Sequence, residues 1–471
     1  MLGSCLLGAC PSLAVGASAG AGVGAAVSVT EAPADGDSHR PHVYLVIVDG
    51  LDAAWLPRMG RLAALRASGA CPVTYPEATA VMPARTNPSH VSLLTATYPA
   101  AHGITGNKYW DRRLGTAAAS LESATAIEVQ TLFTVIESEH AELQTVAVLG
   151  KAKLGSLFEG VEGRQLSPDA LWAPGGMGIG PLAMGPSRAD DETVMGAALG
   201  ALEPEPDLLF TNLSGLDAAC HLHGPASPEA TRALDVADAQ VARLVETLQR
   251  LGLWERAVVV VTSDHGFTEV RPPPGRTQRY ISFGEELARA RLDGLRAVSD
   301  GGVDHVYLDG PAAGVLPDAG AAAGARLAAA RRLALRIPGV TEALYRQPVS
   351  ADAKDGSVLA VAHPTWRLGH PRVGDLVLIA APGVMFGDPP ESRENMFLGN
   401  HGGPGELDIP LVFCGGSPRL RRDAAASGRP SLADVGATAA AWLGIRAPRH
   451  VDGTAVAPAN AGHPIDAVIA P

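Results

Sequence analysis

No CxxC pair, no basic patch and, beyond the first 40 residues, no apolar run long enough to span a membrane occur in this sequence. The five cysteines (Cys5, Cys10, Cys71, Cys220 and Cys414) are widely scattered, so neither a disulfide framework nor a thiolate zinc site is expected. Lys and Arg number 37 against 49 Asp and Glu, for a formal charge of -12. A phosphate backbone needs a lysine- and arginine-rich surface, so a nucleic-acid polymer is not expected as a partner. Aromatic residues are only 4% of the chain, whereas glycine and alanine are abundant. That composition fits a compact globular enzyme and not a disordered chain. At 471 residues, one α/β enzyme body with one subdomain is a better expectation than several small modules.

The N-terminal segment 1–40 is small-residue-rich and apolar up to an acidic linker near Asp35. It reads as a leader, either a signal followed by a linker or an unstructured extension. The stretch "LLGAC" resembles a lipoprotein cleavage box at Cys10, yet a signal needs a positive first region and no Lys or Arg precedes Arg40. A secreted or envelope location and a cytoplasmic one both stay open.

"PHVYLVIVDGLD" is a β-branched run ending at Asp49-Gly50, the pattern of a parallel strand buried on both faces. Similar runs lie at 145–153, 207–217, 257–266 and 409–416. Between them are helical stretches such as "SPEATRALDVADAQVARLVETLQRLGL", with apolar residues at helical spacing. Strands alternating with helices predict an α/β fold with a doubly wound, mostly parallel sheet. Residues 41–270 read as the first part of this catalytic core and 372–450 as the second, with "VGDLVLIAAPG" as the return to it. The intervening 271–371, with its Pro-rich turn and an alanine- and arginine-rich helix near 319–336, reads as an inserted, smaller α+β cap. Residues 451–471 form a C-terminal tail.

In a doubly wound sheet ligands bind beyond the carboxyl ends of the strands. Three of the five runs end in metal-ligand residue types: Asp49, then Asp217 with His221, then Asp264 with His265. With His401 they make three carboxylates and three imidazoles, a mixed oxygen and nitrogen set suited to zinc and less specifically to manganese. Two divalent ions can activate a nucleophile and stabilise both oxygens of an in-line phosphoryl displacement. Thr86 supplies a nucleophile of the right kind. It precedes Asn87-Pro88-Ser89, a proline-led helix start whose backbone N–H groups attract an anion.

Taken together, "VIVDG", "PARTNPSHVSLLTATYPAAHGITGN", "LDAACHLHGP", "VTSDHGF" and "NHGG" resemble the alkaline phosphatase superfamily, particularly its type I phosphodiesterase/nucleotide pyrophosphatase branch, from about 42 to 450. The resemblance implies that Asp49, Thr86, Asp264 and His265 surround one metal and Asp217, His221 and His401 bind the other. It implies that Thr86 is the nucleophile, and that Asn107, twenty-one residues on, hydrogen-bonds a phosphoryl oxygen. The implied function is a two-metal hydrolase of phosphodiester or pyrophosphate bonds in small organic phosphates, working through a phosphothreonine intermediate.

The chain departs from the branch at two places. Thr86-Asn87-Pro88-Ser89-His90 stands where Thr-Phe-Pro-Asn-His is common, and Ala96 replaces a usual glycine. The Thr-Asn-Pro form and "GKAKLGSLF" resemble the phosphonoacetate hydrolases, in which two lysines spaced as Lys151 and Lys153 meet the substrate carboxylate. A phosphonoacetate hydrolase-like or phosphomonoesterase activity is therefore the first alternative, and a non-catalytic metal- and anion-binding envelope protein the second. His223, Asp52, His90 and His102 read as rim or structural residues, Cys220 as packing, and Arg85 and Lys108 as either anion-steering or solvated. No Cys-x-Pro-x-Arg segment supports a sulfatase.

Overall fold

The computed structural model describes residues 40–112, 114–115, 119–174, 187–309, 321–348, 355–387, 396–424 and 426–470. The leader read at 1–40 thus lies, apart from Arg40, outside the described residues. In chain order the strands used below are β1 (His42–Val48), β2 (Val73–Thr79), β3 (Thr145–Leu149), β4 (Ala170–Trp172), β5 (Leu208–Leu213), β6 (Ala257–Thr262), β7 (Leu295–Asp300), β8 (Val303–Leu308), β9 (Val340–Tyr345), β10 (Leu376–Ala380) and β11 (Asp408–Cys414). A seven-stranded sheet has the order β2-β11-β6-β1-β5-β3-β4.

β1 is central because both its faces can be buried. Val43, Leu45 and Ile47 enter one core, while Tyr44, Val46 and Val48 enter the other. The period of two along a strand divides one apolar run between two layers. β6 does the same with Val258 and Val260 against Val259 and Val261. Helices cover both faces, as a doubly wound sheet requires. The longest described helix, α3, is preceded in the chain by α1 (Thr86–Thr95) and α2 (Gly215–His223), and runs Pro228–Arg250. Ser227 accepts the Ala230 N–H to cap α3, and Leu234, Ala237, Val241, Leu244 and Leu248 form its buried stripe.

Two sequence expectations change. The run at 409–416 is not parallel: β11 pairs antiparallel with both β6 and β2. An apolar strand buried on both faces looks the same in either direction. The reversal places the amino end of β11 beside the carboxyl ends of its neighbours, so residues preceding it reach the site. The strand within "VGDLVLIAAPG", read as a return to the core, instead lies in a separate antiparallel sheet of order β7-β8-β10-β9. That sheet buries its own apolar cluster, including Phe283, Leu327, Tyr345, Leu376 and Leu378. The chain rejoins the site where Gly399-Asn400 pairs antiparallel with Thr268-Glu269.

A third correction concerns the cysteines. Cys71 and Cys414 form a disulfide between the start of β2 and the end of β11, 343 residues apart in sequence. The antiparallel pairing of these two edge-side strands brings them together. Among the described residues no helix is long and apolar enough to cross a membrane.

Candidate active site

Thr86 opens α1 as its first residue. Arg85 occupies the cap position with φ -129° and makes no side-chain capping bond. Thr86 is therefore not a helix cap, and its hydroxyl is free for other contacts. Every residue of α1 is buried. α1 packs against α4 (Leu432–Leu443), where a Cβ on Gly436 would meet the Leu93 carbonyl at 2.1 Å. Only glycine admits that approach. At the other end of α1, Ala96 adopts φ 53° and ψ 33°, the left-handed conformation in which glycine is favoured. This gives the physical sense of the glycine usual there.

The predicted ligands gather in two groups, Asp49 with Asp264 and His265, and Asp217 with His221 and His401. Asp49 follows β1, Asp217 and His221 lie on α2 after β5, and Asp264-His265 follows β6. Gly50, at φ 82°, turns its N–H onto Asp264 Oδ1 at 3.1 Å, tying two strand ends together. In a helix, positions i and i+4 share a face, which sets Asp217 Oδ1 3.3 Å from His221 Nε2.

Each histidine is held by a backbone carbonyl on its far nitrogen: His221 Nδ1 by Gly399 O at 3.0 Å, His265 Nδ1 by Gly266 O at 3.0 Å and His401 Nδ1 by Ala84 O at 2.8 Å. A carbonyl only accepts, so Nδ1 must carry the proton, and each Nε2 presents a lone pair to the site. Such outer hydrogen bonds are how ligating histidines are oriented. Asp49 Oδ1, Asp217 Oδ1, Asp264 Oδ2 and His265 Nε2 are buried without a hydrogen bond. Orphaned buried acceptors of this kind are costly unless a cation satisfies them, so the residues present fit two divalent ions.

The electrostatics agree. Burial pushes Asp264 up to about 6, with the neighbouring Asp49 charge adding to it. Burial also acts on Asp217, but the charges of Lys151 and Arg188 hold it well below the usual carboxylate range. Burial, reinforced by the Arg85 charge, holds His401 well below its ordinary value and keeps it neutral.

Lys151 lies two residues beyond β3 and reaches the middle of the site. Its Nζ lies 2.7 Å from Asp49 Oδ2, 2.9 Å from Asp217 Oδ2 and 3.4 Å from Thr86 Oγ1. One ammonium thus touches the threonine hydroxyl and a carboxylate from each ligand group. Lys153 makes no such bridge; burial, then the Lys151 charge, lowers its pKa to about 8. Asn107 Oδ1 accepts the Asn87 N–H at 3.2 Å. That bond fixes which end of the amide is oxygen and leaves its Nδ2 hydrogens available as donors.

The remaining residues fall outside the ligand groups. His90 gives Nδ1–H to Thr86 O at 2.9 Å and receives Asn212 Nδ2 on Nε2 at 3.2 Å, so both its nitrogens are used. Asn212 spends its other hydrogen on Asp49 Oδ2 at 3.0 Å. His102 is occupied by Ser92 and Ile104, Asp52 caps a turn at Ala54, Cys220 is buried and His223 is exposed. Arg85 is not solvated: it is buried and lies 2.8 Å, Nε to Oδ1, from Asp300. Sequence reasoning missed Asp300, Asn212 and Arg188, which approaches Asp217 Oδ2 at 2.9 Å. Only "DGG" at 300–302, a tight-turn signal, marked the first of them.

Comparison with known proteins bears on the family and the fold. The family model for type I phosphodiesterase/nucleotide pyrophosphatase matches residues 43–404. The chain is 28% identical over 265 residues to ectonucleotide pyrophosphatase/phosphodiesterase family member 1 of Mus musculus, covering 55% of this chain and 26% of that protein. It thus spans about a quarter of the length of that relative. It is 44% identical over 54 residues to bis(5'-adenosyl)-triphosphatase ENPP4 of Bos taurus, 11% of this chain and 12% of that one. Among solved structures, human ectonucleotide pyrophosphatase/phosphodiesterase 5 superposes with a TM-score of 0.64 at 17% identity, over 87% of this chain and 96% of that one. The murine counterpart, solved as an inactive threonine-to-alanine variant with AMP, gives 0.61 at 18% identity over the same shares, 87% and 96%. With the family model matching well over half its length, the chain belongs to the type I phosphodiesterase/nucleotide pyrophosphatase family.

Proposed function

We propose that the protein is a metal-dependent hydrolase that cleaves phosphodiester or pyrophosphate bonds in small nucleotide-type or other organic phosphates. The observation carrying this reading is that a single ammonium, Lys151 Nζ, touches the Thr86 hydroxyl and one carboxylate of each ligand group. A nucleophile and two cation-hungry carboxylates therefore share one small volume. The relatives named as nucleotide pyrophosphatases and a bis(5'-adenosyl)-triphosphatase, and the AMP held by the murine structure, support a nucleotide-type substrate.

Two divalent ions, zinc by the mixed donor set and otherwise manganese, would be held by Asp49, Asp264 and His265 with Thr86, and by Asp217, His221 and His401; when bound they favour the threonine alkoxide and neutralise charge at phosphorus and on the leaving group. Thr86 Oγ attacks phosphorus in line, and the bond to the leaving alcohol or nucleotide phosphate breaks. A phosphothreonine ester that still carries the substrate's other organic group remains. Water then hydrolyses it and restores the hydroxyl. Asn107 Nδ2 donates to a non-bridging phosphoryl oxygen, a bond that strengthens as charge accumulates in the transition state.

Lys151 favours a second reading. Because Lys151 borders the nucleophile and Lys153 lies within electrostatic reach of Lys151, a phosphonate with a carboxylate tail would find cationic side chains on this side of the site. The test is a comparison of rates on a bis-aryl phosphate, a phosphomonoester and phosphonoacetate with zinc-loaded protein. Diester preference supports the proposal. Preference for phosphonoacetate moves Lys151 and Lys153 to the centre, and no turnover on any of them by a metal-loaded protein favours a binding role.

A further inference from the structure

The two glycines at the tip of the β7–β8 hairpin bring the small sheet against the site from outside the ligand groups. Asp300 ends β7 and is fully buried. Its Oδ1 lies 2.8 Å from Arg85 Nε, and its Oδ2 accepts the Asn107 backbone N–H at 2.9 Å. One carboxylate thus holds the residue before the nucleophile and the residue that donates to the phosphoryl oxygen. The approach depends on glycine: a Cβ on Gly106 would sit 2.3 Å from Asp300 Oδ2. The same turn engages the His401 loop. Gly302 N–H points at His401 O at 3.3 Å, and a Cβ on Gly301, which has φ 74°, would lie 1.9 Å from that oxygen. Arg85 Nη1 also donates to Asn400 Oδ1 at 3.1 Å and His401 O at 3.3 Å.

We propose that Asp300 is a positioning residue that sets the separation of Thr86 from Asn107 and so keeps the attacked phosphorus in line. A buried ion pair is a poor way to gain stability, because desolvation offsets most of the attraction and apolar residues of similar volume do as well or better. Two acceptor oxygens at fixed spacing are, however, a good way to fix two chain segments. The distance they fix matters, since a displacement of about 1 Å can cost about a hundredfold in rate. Asp300 touches no reacting atom; it acts through Arg85 and Asn107.

The inference rests on Thr86 being the nucleophile. It is tested in the full, metal-loaded protein by Asp300→Asn, which keeps the size and an acceptor for the Asn107 N–H but removes the charge facing Arg85. The expected result is a kcat on a bis-aryl phosphate lowered about 10- to 100-fold. KM and metal affinity by calorimetry should stay within about threefold, while orthovanadate, a mimic of the in-line geometry, binds at least about tenfold more weakly. In an Asn107→Ala background the same substitution should lower kcat by less than about twofold, since the separation of Thr86 from Asn107 that Asp300 sets has no consequence once the Asn107 donor is gone. Unchanged kcat and vanadate affinity, or an equal loss in both backgrounds, would overturn the proposal. If Asp300→Asn does not fold, Gly106→Ala decides: its Cβ pushes the carboxylate off the Asn107 N–H with every charge retained, and the same split is expected. Thr86→Ala, measured alongside, separates the two ideas. Retained turnover there sinks the nucleophile assignment, whereas the vanadate comparison bears on Asp300 alone.

Discussion

Asn107 offers the cleanest separation of a structural from a catalytic role, because one amide does both jobs with opposite ends. Its Oδ1 takes the Asn87 N–H at the start of α1, 3.2 Å away, which leaves Nδ2 for the phosphoryl oxygen in the role proposed for it. Asn107→Asp keeps the acceptor, adds an anion beside the positive end of a helix and removes the donor. The first change is neutral or favourable to folding by about 0.3–1 kcal/mol. The second removes one donor to the transition state, a loss of about 2.7–4 kcal/mol or about 10²–10³ in kcat. Asn107→Ala should lose as much kcat and, in addition, about 1 kcal/mol of stability with the Asn87 bond. The assay is kcat on a bis-aryl phosphate at saturating metal beside urea unfolding of the same preparations. An Asp variant within about threefold of wild-type kcat, or one that loses stability in step with activity, would refute the reasoning.

Two further predictions concern the scaffold. Ala96 is held at φ 53°, and the left-handed conformation costs an L-residue about 1–2 kcal/mol, partly offset by glycine's larger unfolded-state entropy. Ala96→Gly should therefore stabilise the protein by about 0.5–1 kcal/mol in denaturant unfolding. Burial pushes Glu406 up to about 7, against the opposing hydrogen bond from Gly403 N–H. A raised carboxylate binds a proton in the folded state that the unfolded chain has already lost, so its contribution to stability falls as pH rises from its ordinary value through about 7. Glu406→Gln should thus gain on wild type between pH 5 and 8, by up to about 3 kcal/mol, and a constant difference in thermal midpoint across that range would contradict it.

Much of the site was legible because the chemistry of a doubly wound sheet concentrates at strand ends. Asp49, Asp217 and Asp264 each follow a run whose apolar continuity marks a buried strand, and the structure brings all three together. His401 was read from its residue type and not from a strand end, because the strand it precedes is antiparallel and no local pattern announces direction. For the same reason Leu376–Ala380 looked like a core strand: a small sheet with its own apolar layer selects the same residues as a large one. The Cys71–Cys414 disulfide and the Asp300 contacts were hidden by sequence distance. Asp300 in "SDGGVDH" signals a hairpin turn, and nothing near it in sequence says that the turn presses on Arg85 and Asn107. Arg85 itself was ambiguous, since an arginine's burial depends on a partner found only in the fold.

The central claim is that Thr86 carries the phosphoryl group between two metal-ligand groups. Its most direct test is acid quenching of zinc-loaded protein during turnover of a bis-aryl phosphate, followed by peptide mass spectrometry to locate a covalent aryl phosphate. The prediction is a phosphate ester on Thr86, absent from a Thr86→Ala variant that still binds about two metal ions per chain. A Thr86→Ala variant that turns over at the wild-type rate, or an ester mapped to another residue, would contradict the account.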